Sequence, residues 1–206
     1  MFTGIIECTG TIENVKDVGS NKVFQINNPL VSELKVDQSV SHDGVCLTIE
    51  AISGQQCQVT AIAETLEKTN LSNWRPGRIV NLERCMQINA RLDGHMVQGH
   101  VDAIAICTNV RELDGSWEYR FTIDEKFAPL IIEKGSAAIN GISLTIYKVT
   151  TSSFTVGIIP YTYNNTNIRD IKVGNKVNIE FDVIGKYVNR MTALRAARTD
   201  LSPDVS

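Results

Sequence analysis

The chain contains one stretch of sequence twice, and this repeat limits the folds available to it. Residues 44–49 return 97 residues later as residues 141–146, with glycine, leucine, threonine and isoleucine kept in register. The same offset pairs Gly77 with Gly174 and Glu83 with Glu180. An unbroken offset over this length indicates an internal duplication. We therefore predict two copies of one module of roughly 95 residues.

The charge balance argues against nucleic acid as a partner. The 206 residues include 20 Lys and Arg against 23 Asp and Glu, so the formal net charge is −3. Such a chain has no basic surplus to attract a phosphate backbone. Aromatic residues make up 6% of the chain, too few for rows of base-stacking side chains. We expect no nucleic-acid partner.

The cysteines and the apolar runs suggest a cytoplasmic protein. The five cysteines are odd in number and form no C-x-x-C pair, which is typical of reduced thiols. No apolar run approaches the length of a membrane span, and the first residues lack the basic start of a signal peptide. We expect no membrane partner.

Short β-branched stretches separated by turn residues predict an all-β fold. We predict strands at residues 3–15, 22–27, 39–52 with a break at Asp43-Gly44, 58–63 and 78–84. The second copy repeats them at 101–110, 118–123, 137–149, 154–159 and 176–182, and short helices are predicted at 29–34 and 127–133. Strands of this length without long helices between them favour small antiparallel Greek-key barrels.

The end of the chain departs from the repeat. Between residues 183 and 198 apolar side chains recur at helical spacing with polar ones opposite, which predicts an amphipathic helix. Its apolar residues are Ile184, Tyr187, Val188, Met191 and Leu194. The helix either packs on its own barrel or takes part in self-association. The predicted domains are residues 1–97, 98–183 and 184–206.

The repeated stretch also carries the candidate polar groups. Cys46 and Thr48 stand two residues apart, as do Ser143 and Thr145, so each pair projects from one side of a strand. Such a pair can hydrogen-bond the edge of a polar ring, or it can simply fill a barrel.

Comparison of the two copies favours the binding interpretation. At the offset of 97 residues several polar groups change while the surrounding pattern stays. These pairs are Cys46 and Ser143, Asp37 and Lys134, Thr3 and His100, and Glu64 and Tyr161. Two similar pockets with unlike reactive groups suit a reaction between two similar molecules.

Other chemistries leave no pattern in the sequence. His42, His95 and His100 lack the cysteine or carboxylate spacing of a metal site. The sequence also has no glycine-rich phosphate loop and no serine-nucleophile elbow. We expect no metal.

Five motifs in order resemble the riboflavin synthase family of the alpha-chain type. They are residues 1–7 (Met-Phe-Thr-Gly-Ile-Ile-Glu), 43–48 (Asp-Gly-Val-Cys-Leu-Thr), 94–102 (Gly-His-Met-Val-Gln-Gly-His-Val-Asp), 140–145 (Asn-Gly-Ile-Ser-Leu-Thr) and 185–187 (Gly-Lys-Tyr). The resemblance runs from Met1 to about Arg190. Asp43, Asp93 and Tyr161 depart from the usual pattern of that family.

The resemblance implies a reaction and an assembly. Members of the family transfer a four-carbon unit between two molecules of 6,7-dimethyl-8-ribityllumazine, giving riboflavin and 5-amino-6-(D-ribitylamino)uracil without a cofactor. Each module would be a six-stranded Greek-key barrel that holds one lumazine. Three chains would assemble through the C-terminal helix, with the active site between barrels of neighbouring chains. The alternative is a non-catalytic antenna protein that binds a lumazine or flavin.

The resemblance also implies site residues. The first pocket would be lined by Gly4, Ile5, Ile6, Ser39, Cys46, Leu47, Thr48, Thr60, Ala61, Ile62, Ala63, Glu64 and Thr65. The second would be lined by Gly99, His100, Val101, Lys134, Ser143, Leu144, Thr145, Ile159, Pro160, Tyr161, Thr162, Tyr163 and Asn164.

Four of these residues are the expected catalytic groups. His100 would carry the proton of an acidic methyl group on the lumazine, since histidine titrates near neutral pH. Ser143 and Thr145 would hold or hydrate the acceptor, and Cys46 would polarise or add to the other ring.

Overall fold

Antiparallel strands build both halves of the chain. The computed structural model describes residues 1–199. The first module contains β1 (Cys8–Val18), β2 (Asn21–Asn27), β3 (Ser39–His42), β4 (Val45–Thr48), β5 (Ala51–Ser53), β6 (Gln56–Ala61), α1 (Ala63–Lys68) and β7 (Ile79–Arg84). The second contains β8 (Ala103–Leu113), β9 (Ser116–Thr122), β10 (Ser136–Ile139), β11 (Ile142–Tyr147), β12 (Ser153–Ile158), α2 (Pro160–Asn165) and β13 (Lys176–Phe181), and α3 (Val183–Thr199) follows it.

The second module is a closed six-stranded barrel in the order β10-β11-β12-β9-β8-β13. The first module has the same order, β4-β3-β7-β1-β2-β6-β5, in which β4 and β5 together correspond to β11. Ile49 and Glu50 separate β4 from β5, whereas β11 runs unbroken over the equivalent positions. The predicted all-β fold of two tandem barrels with a C-terminal helix is confirmed.

Alternation of side chains fills each barrel. Along β9, Tyr119 and Phe121 are fully buried while Arg120 between them is exposed, as the two-residue period of a strand requires. Phe24 meets Trp74 edge to face at 5.2 Å between ring centroids in the first core. Burial of side chains of this size stabilises each module by roughly 1.5–3 kcal/mol apiece.

Several predicted boundaries differ from the structure. The first strand of each module begins at Cys8 and at Ala103 rather than at residues 3 and 101, because the preceding residues bond between the modules. The expected short helices appear as 3-10 turns at Val31–Glu33 and Glu125–Leu130. The helices α1 and α2 were not predicted.

The structural repeat has two offsets. From β3 and β10 onward equivalent residues stand 97 apart, but β1 and β8, and β2 and β9, stand 95 apart. The connection from β9 to β10 is two residues longer than that from β2 to β3. The expected pairing of Thr3 with His100 is therefore wrong: Gln98 is the counterpart of Thr3, and His100 is the counterpart of Ile5.

A buried amide network joins the modules around a pseudo-twofold axis. The Asn81 side chain donates to the Asn140 carbonyl at 2.9 Å, and the equivalent Asn178 donates to the Asp43 carbonyl at 2.9 Å. Asp43, which stands at the position equivalent to Asn140, places its carboxylate 3.4 Å from the Arg78 guanidinium. Buried polar groups need such partners, so the network fixes the modules against each other.

The start of α3 packs on a barrel. The Lys186 ammonium lies 2.6 Å from the Asp102 carboxylate, and Gly185 approaches Leu130. The five apolar residues that define the predicted stripe remain 48–70% exposed. Residues 200–206 of the predicted tail domain lie outside the described residues. Across residues 1–199, none of the helices has the length and apolar character needed to span a membrane.

Candidate functional site

Two extended segments lie between the barrels, and we call them straps. The N-terminal strap comprises residues 2–6 and the central strap residues 97–101. They pair with each other, since Phe2 N–H donates to the Val97 carbonyl at 2.7 Å and Val97 N–H donates to the Phe2 carbonyl at 3.1 Å. Neither strap belongs to a barrel strand.

A buried carboxylate holds each strap. Glu83 on β7 accepts hydrogen bonds from the backbone N–H of Thr3 at 2.6 Å and of Gly4 at 3.0 Å. Glu180 on β13 accepts from the backbone N–H of Gln98 at 2.6 Å and of His100 at 2.8 Å.

Each strap also reaches the other module through a glycine carbonyl. Gly4 accepts a hydrogen bond from Ser143 N–H at 2.8 Å, and Gly99 accepts one from Cys46 N–H at 2.9 Å. Both glycines have positive φ, and a Cβ on either would lie 2.6 Å from the Cβ of Ser143 or Cys46. Glycine is therefore required at both positions.

This crossing reverses part of the predicted pocket assignment. The N-terminal strap, expected in the first pocket, lies beside Ser143, and Ile6 packs on the core of the second module. The central strap, expected in the second pocket, lies beside Cys46, and Val101 packs on the core of the first module. In the structure Gly4 to Ile6 thus lie on the Ser143 side and Gly99 to Val101 on the Cys46 side, the reverse of the predicted grouping.

The Cys46 site is an open cleft of about 420 Å³ between β4, α1 and the central strap. It is lined by Val45, Cys46, Glu64, Thr65, Lys68, Thr69, Gly99, His100 and Val101. His100 thus shares a cleft with Cys46 rather than with Ser143. The Cys46 thiol is half-buried, and burial raises its pKa in spite of a hydrogen bond with Ser39 and the nearby N-terminal ammonium. It is therefore a neutral thiol at neutral pH, suited to hydrogen bonding more than to attack as a thiolate.

The Ser143 site consists of Ser143 and Thr145 on β11 and the N-terminal strap, whose Gly4 carbonyl accepts the Ser143 N–H. Ser143 is half-buried and Thr145 is exposed, with buried residues between and around them, so both project from one side of the strand as predicted, and that side faces away from the core. The same holds for Cys46 and Thr48.

A histidine that the sequence did not single out lies at the Ser143 site. The Nδ1 atom of His95 is 2.6 Å from the Ser143 hydroxyl oxygen. Burial lowers the pKa of His95, partly opposed by the charge of Asp182, so the ring is neutral at neutral pH. A neutral imidazole can accept the serine proton. The Gly94-His95 motif was a signal, but its spatial partner stands 48 residues away.

The remaining predicted residues differ in their surroundings. Leu47, Ala61 and Leu144 point into the cores, so they offer a ligand only their backbone. The Thr60 hydroxyl bonds to Glu50 at 2.8 Å. Apolar side chains at the starts of α1 and α2 are exposed: Ile62 is 52%, Ile159 61% and Tyr161 72% exposed.

Two predicted residues have partners away from the straps. Tyr163 stacks on Trp117 at 3.7 Å between centroids, and both rings pack against the core of the second barrel. The Lys134 ammonium lies 5.2 Å from the Tyr147 ring centre.

Ser39 lines a second cleft, which the N-terminal strap residues Thr3 and Ile5 also line.

Among residues 1–199, no three His, Cys, Asp or Glu side chains come together in a way that could hold a metal ion.

Comparisons with known proteins find the same repeat and the same fold. The family model named "Lumazine binding domain" matches residues 3–85 and again residues 98–182. Riboflavin synthase of Bacillus subtilis is 38% identical over 92% of this chain and 89% of its own length. That of Actinobacillus pleuropneumoniae is 37% identical over 99% of this chain and 97% of its own length.

Solved structures of LumP share the fold. The complex of LumP with riboflavin superposes with a TM-score of 0.83 at 21% identity, covering 88% of this chain and 99% of LumP. The complex with 6,7-dimethyl-8-(1'-D-ribityl) lumazine gives a TM-score of 0.80 over 87% and 98% of the two chains. The two domain matches and the identity over nearly full length show that this chain belongs to the riboflavin synthase family.

Proposed function

We propose that the chain is a riboflavin synthase. It takes two molecules of 6,7-dimethyl-8-ribityllumazine, transfers a four-carbon unit from one to the other, and releases riboflavin and 5-amino-6-(D-ribitylamino)uracil. Relatives named riboflavin synthase support this proposal over nearly the whole chain.

One observation carries the proposal further. The Cys46 and Ser143 sites share a backbone frame, a strap glycine carbonyl bonded to a strand amide, yet they carry different side chains. Like frames suit like molecules, and unlike side chains suit unlike roles for those molecules. Holding two reactants in register supplies roughly 7–11 kcal/mol of a barrier, more than a single proton-transfer group.

Residue roles follow from the two sites. Cys46 and His100 act on one lumazine, with the neutral thiol as a hydrogen-bond donor and the imidazole as a proton carrier. Ser143 and Thr145 act on the other, with His95 on the Ser143 hydroxyl. Exposed Ile62, Ile159 and Tyr161 would cover the apolar ring faces. The chain's residues supply this chemistry without a cofactor.

The assembly is part of the same proposal. The apolar stripe of α3 is exposed along its length, which supports a homotrimer formed through this helix. Donor and acceptor would then meet between the barrels of neighbouring chains. Five free thiols support a cytoplasmic location.

The test is direct. The purified chain is mixed with 6,7-dimethyl-8-ribityllumazine, and riboflavin is followed by its absorbance. Turnover that disappears in Ser143→Ala or His100→Ala, with lumazine affinity largely kept, supports the enzyme and the roles. Stable lumazine fluorescence without riboflavin would instead establish a binding protein like LumP, to which the fold is also similar.

A further inference from the structure

We infer that Glu83 and Glu180 are positioning residues that act crosswise: Glu180 of the second module shapes the Cys46 site in the first, and Glu83 of the first module shapes the Ser143 site in the second. The inference rests on the proposed function only for the identity of the ligand.

The two carboxylates are buried far beyond what their residue type prefers. Glu83 is 3% and Glu180 2% exposed, at equivalent positions on β7 and β13. Desolvation raises the pKa of both groups, and the strap hydrogen bonds oppose this rise. Ionised carboxylates are retained at such positions only when hydrogen bonds satisfy them.

Their hydrogen bonds go to the straps. Glu83 accepts from the N–H of Thr3, the Thr3 hydroxyl at 2.7 Å and the N–H of Gly4. Glu180 accepts from the N–H of Gln98 and of His100. A strap lies outside the barrel sheets, and its other backbone bonds go to the facing strap and to the strand of the other module. Without the carboxylate, its backbone donors at these partly buried positions would lose their partner.

The path from Glu180 to the Cys46 site is short. Gln98 and His100, whose N–H groups bond to Glu180, flank Gly99 on both sides. The Gly99 carbonyl accepts the Cys46 N–H, and His100 lines the cleft. Glu180 therefore fixes the direction of the Gly99 carbonyl and the backbone position from which the His100 side chain extends.

The path from Glu83 mirrors it. Thr3 and Gly4 bond to Glu83, and the Gly4 carbonyl accepts the Ser143 N–H. The Thr3 carbonyl accepts the His95 N–H at 3.1 Å, so Glu83 also supports the histidine beside Ser143. Each carboxylate thus belongs to one barrel and orders the ligand site of the other.

The experiment compares two isosteric variants, Glu83→Gln and Glu180→Gln, each serving as the matched control for the other. A glutamine oxygen can still accept a bond, but its NH₂ group faces a backbone N–H and repels it. The first readout needs no ligand: amide hydrogen exchange at Cys46 and at Ser143, measured by NMR. We expect Glu180→Gln to speed exchange at Cys46 by roughly tenfold or more and at Ser143 by less than about twofold, and Glu83→Gln to do the reverse.

The second readout uses the ligand. Titration with 6,7-dimethyl-8-ribityllumazine is followed by the protection of Cys46 against iodoacetamide, located by peptide mass spectrometry. Glu180→Gln should raise the lumazine concentration needed for protection roughly tenfold, whereas Glu83→Gln should leave it within about twofold. Lumazine that never protects Cys46 in the unchanged chain would count against the proposed ligand, while the exchange pattern would still decide the crosswise inference.

A second pair of variants guards against misfolding of the glutamine variants. Gly99→Ala and Gly4→Ala press on Cys46 and Ser143 from the strap side, since the added Cβ lies 2.6 Å from each partner Cβ. They should reproduce the patterns of Glu180→Gln and Glu83→Gln respectively. Equal effects on both amides in either pair, or an effect confined to the module that carries the glutamate, would overturn the inference.

Discussion

His42 and Ile139 stand at equivalent positions at the ends of β3 and β10, and both are fully buried. The His42 Nδ1 donates to the Val40 carbonyl at 3.0 Å, and within the described chain its Nε2 has no partner. Burial lowers the pKa of His42 to about 4. Protonation of this ring therefore opposes folding.

His42→Ile, which installs the residue of the other module, should remove this proton linkage. The unfolded chain binds the His42 proton near pH 6.5 and the folded chain near pH 4, so the histidine lowers the free energy of unfolding as pH falls between these values. From pH 7 to pH 5 the unchanged chain should lose about 2 kcal/mol more than the variant. Urea unfolding at both pH values measures the difference. If the free energy of unfolding depends on pH identically in the two proteins, His42 is not the source of this linkage.

His95 offers a second prediction for a single residue. His95→Ala leaves the Ser143 hydroxyl without its 2.6 Å partner, so kcat should fall by about tenfold to a hundredfold. His95→Asn keeps an acceptor near the Nδ1 position and should retain more activity than alanine. Steady-state kinetics with lumazine measures both.

The pH profile separates the chemistry of His95 from simple packing. Because His95 accepts a proton only when neutral, kcat of the unchanged chain should decline in acid, whereas the asparagine variant should lack that His95-dependent decline. Equal kcat in all three proteins would remove His95 from the site.

Among the elements, α3 exposes the largest apolar stripe. Val188→Glu with Met191→Glu places charges on that stripe, away from the contact of Lys186 with Asp102. The proposed homotrimer should dissociate to a monomer with an unchanged fold, because burying the charges costs more than association gains. Analytical ultracentrifugation and circular dichroism test this. The matched control is Asn189→Glu on the opposite face, and a double variant as oligomeric as this control would contradict the prediction.

Elements with a clear periodic pattern could be predicted from the sequence. The repeat predicted two like barrels, and alternation placed Cys46 with Thr48, and Ser143 with Thr145, on one side of a strand. The helices α1 and α2 span six residues each, too short for a helical period to be detectable.

The positions of the straps could not be predicted either, but the reason is different. Their partners are distant in sequence: the Gly4 carbonyl meets residue 143, and the Glu83 carboxylate meets residues 3 and 4. Local pattern carries no information about such pairing, so the sequence placed each strap in the pocket of its own module. His95 was missed on the same ground, since only the fold brings it to Ser143.

At the scale of the whole molecule, the modules are in close backbone contact at Gly44 and Gly141. A Cβ on Gly44 would lie 2.7 Å from the Gly141 nitrogen, while one on Gly54 would have open space, and both glycines have positive φ. Gly54→Ala should therefore cost only its backbone strain, about 1–2 kcal/mol. Gly44→Ala should cost about 2 kcal/mol more, because it forces the modules apart.

Thermal and urea unfolding of the two alanine variants measure this difference. If the modules unfold together, Gly44→Ala should lower a single transition rather than split it. Equal stability of the two variants would contradict the prediction, since it would show that the modules accommodate the added methyl group without loss of stability.

The crossed straps carry an implication about ancestry. A lone copy of the module would own a barrel and an N-terminal strap, yet the strap would reach past its own Cys46-type strand toward a neighbour. Such a chain would complete neither site by itself, so a single-module ancestor would have needed a second copy as its partner, and tandem duplication supplies that partner within one chain.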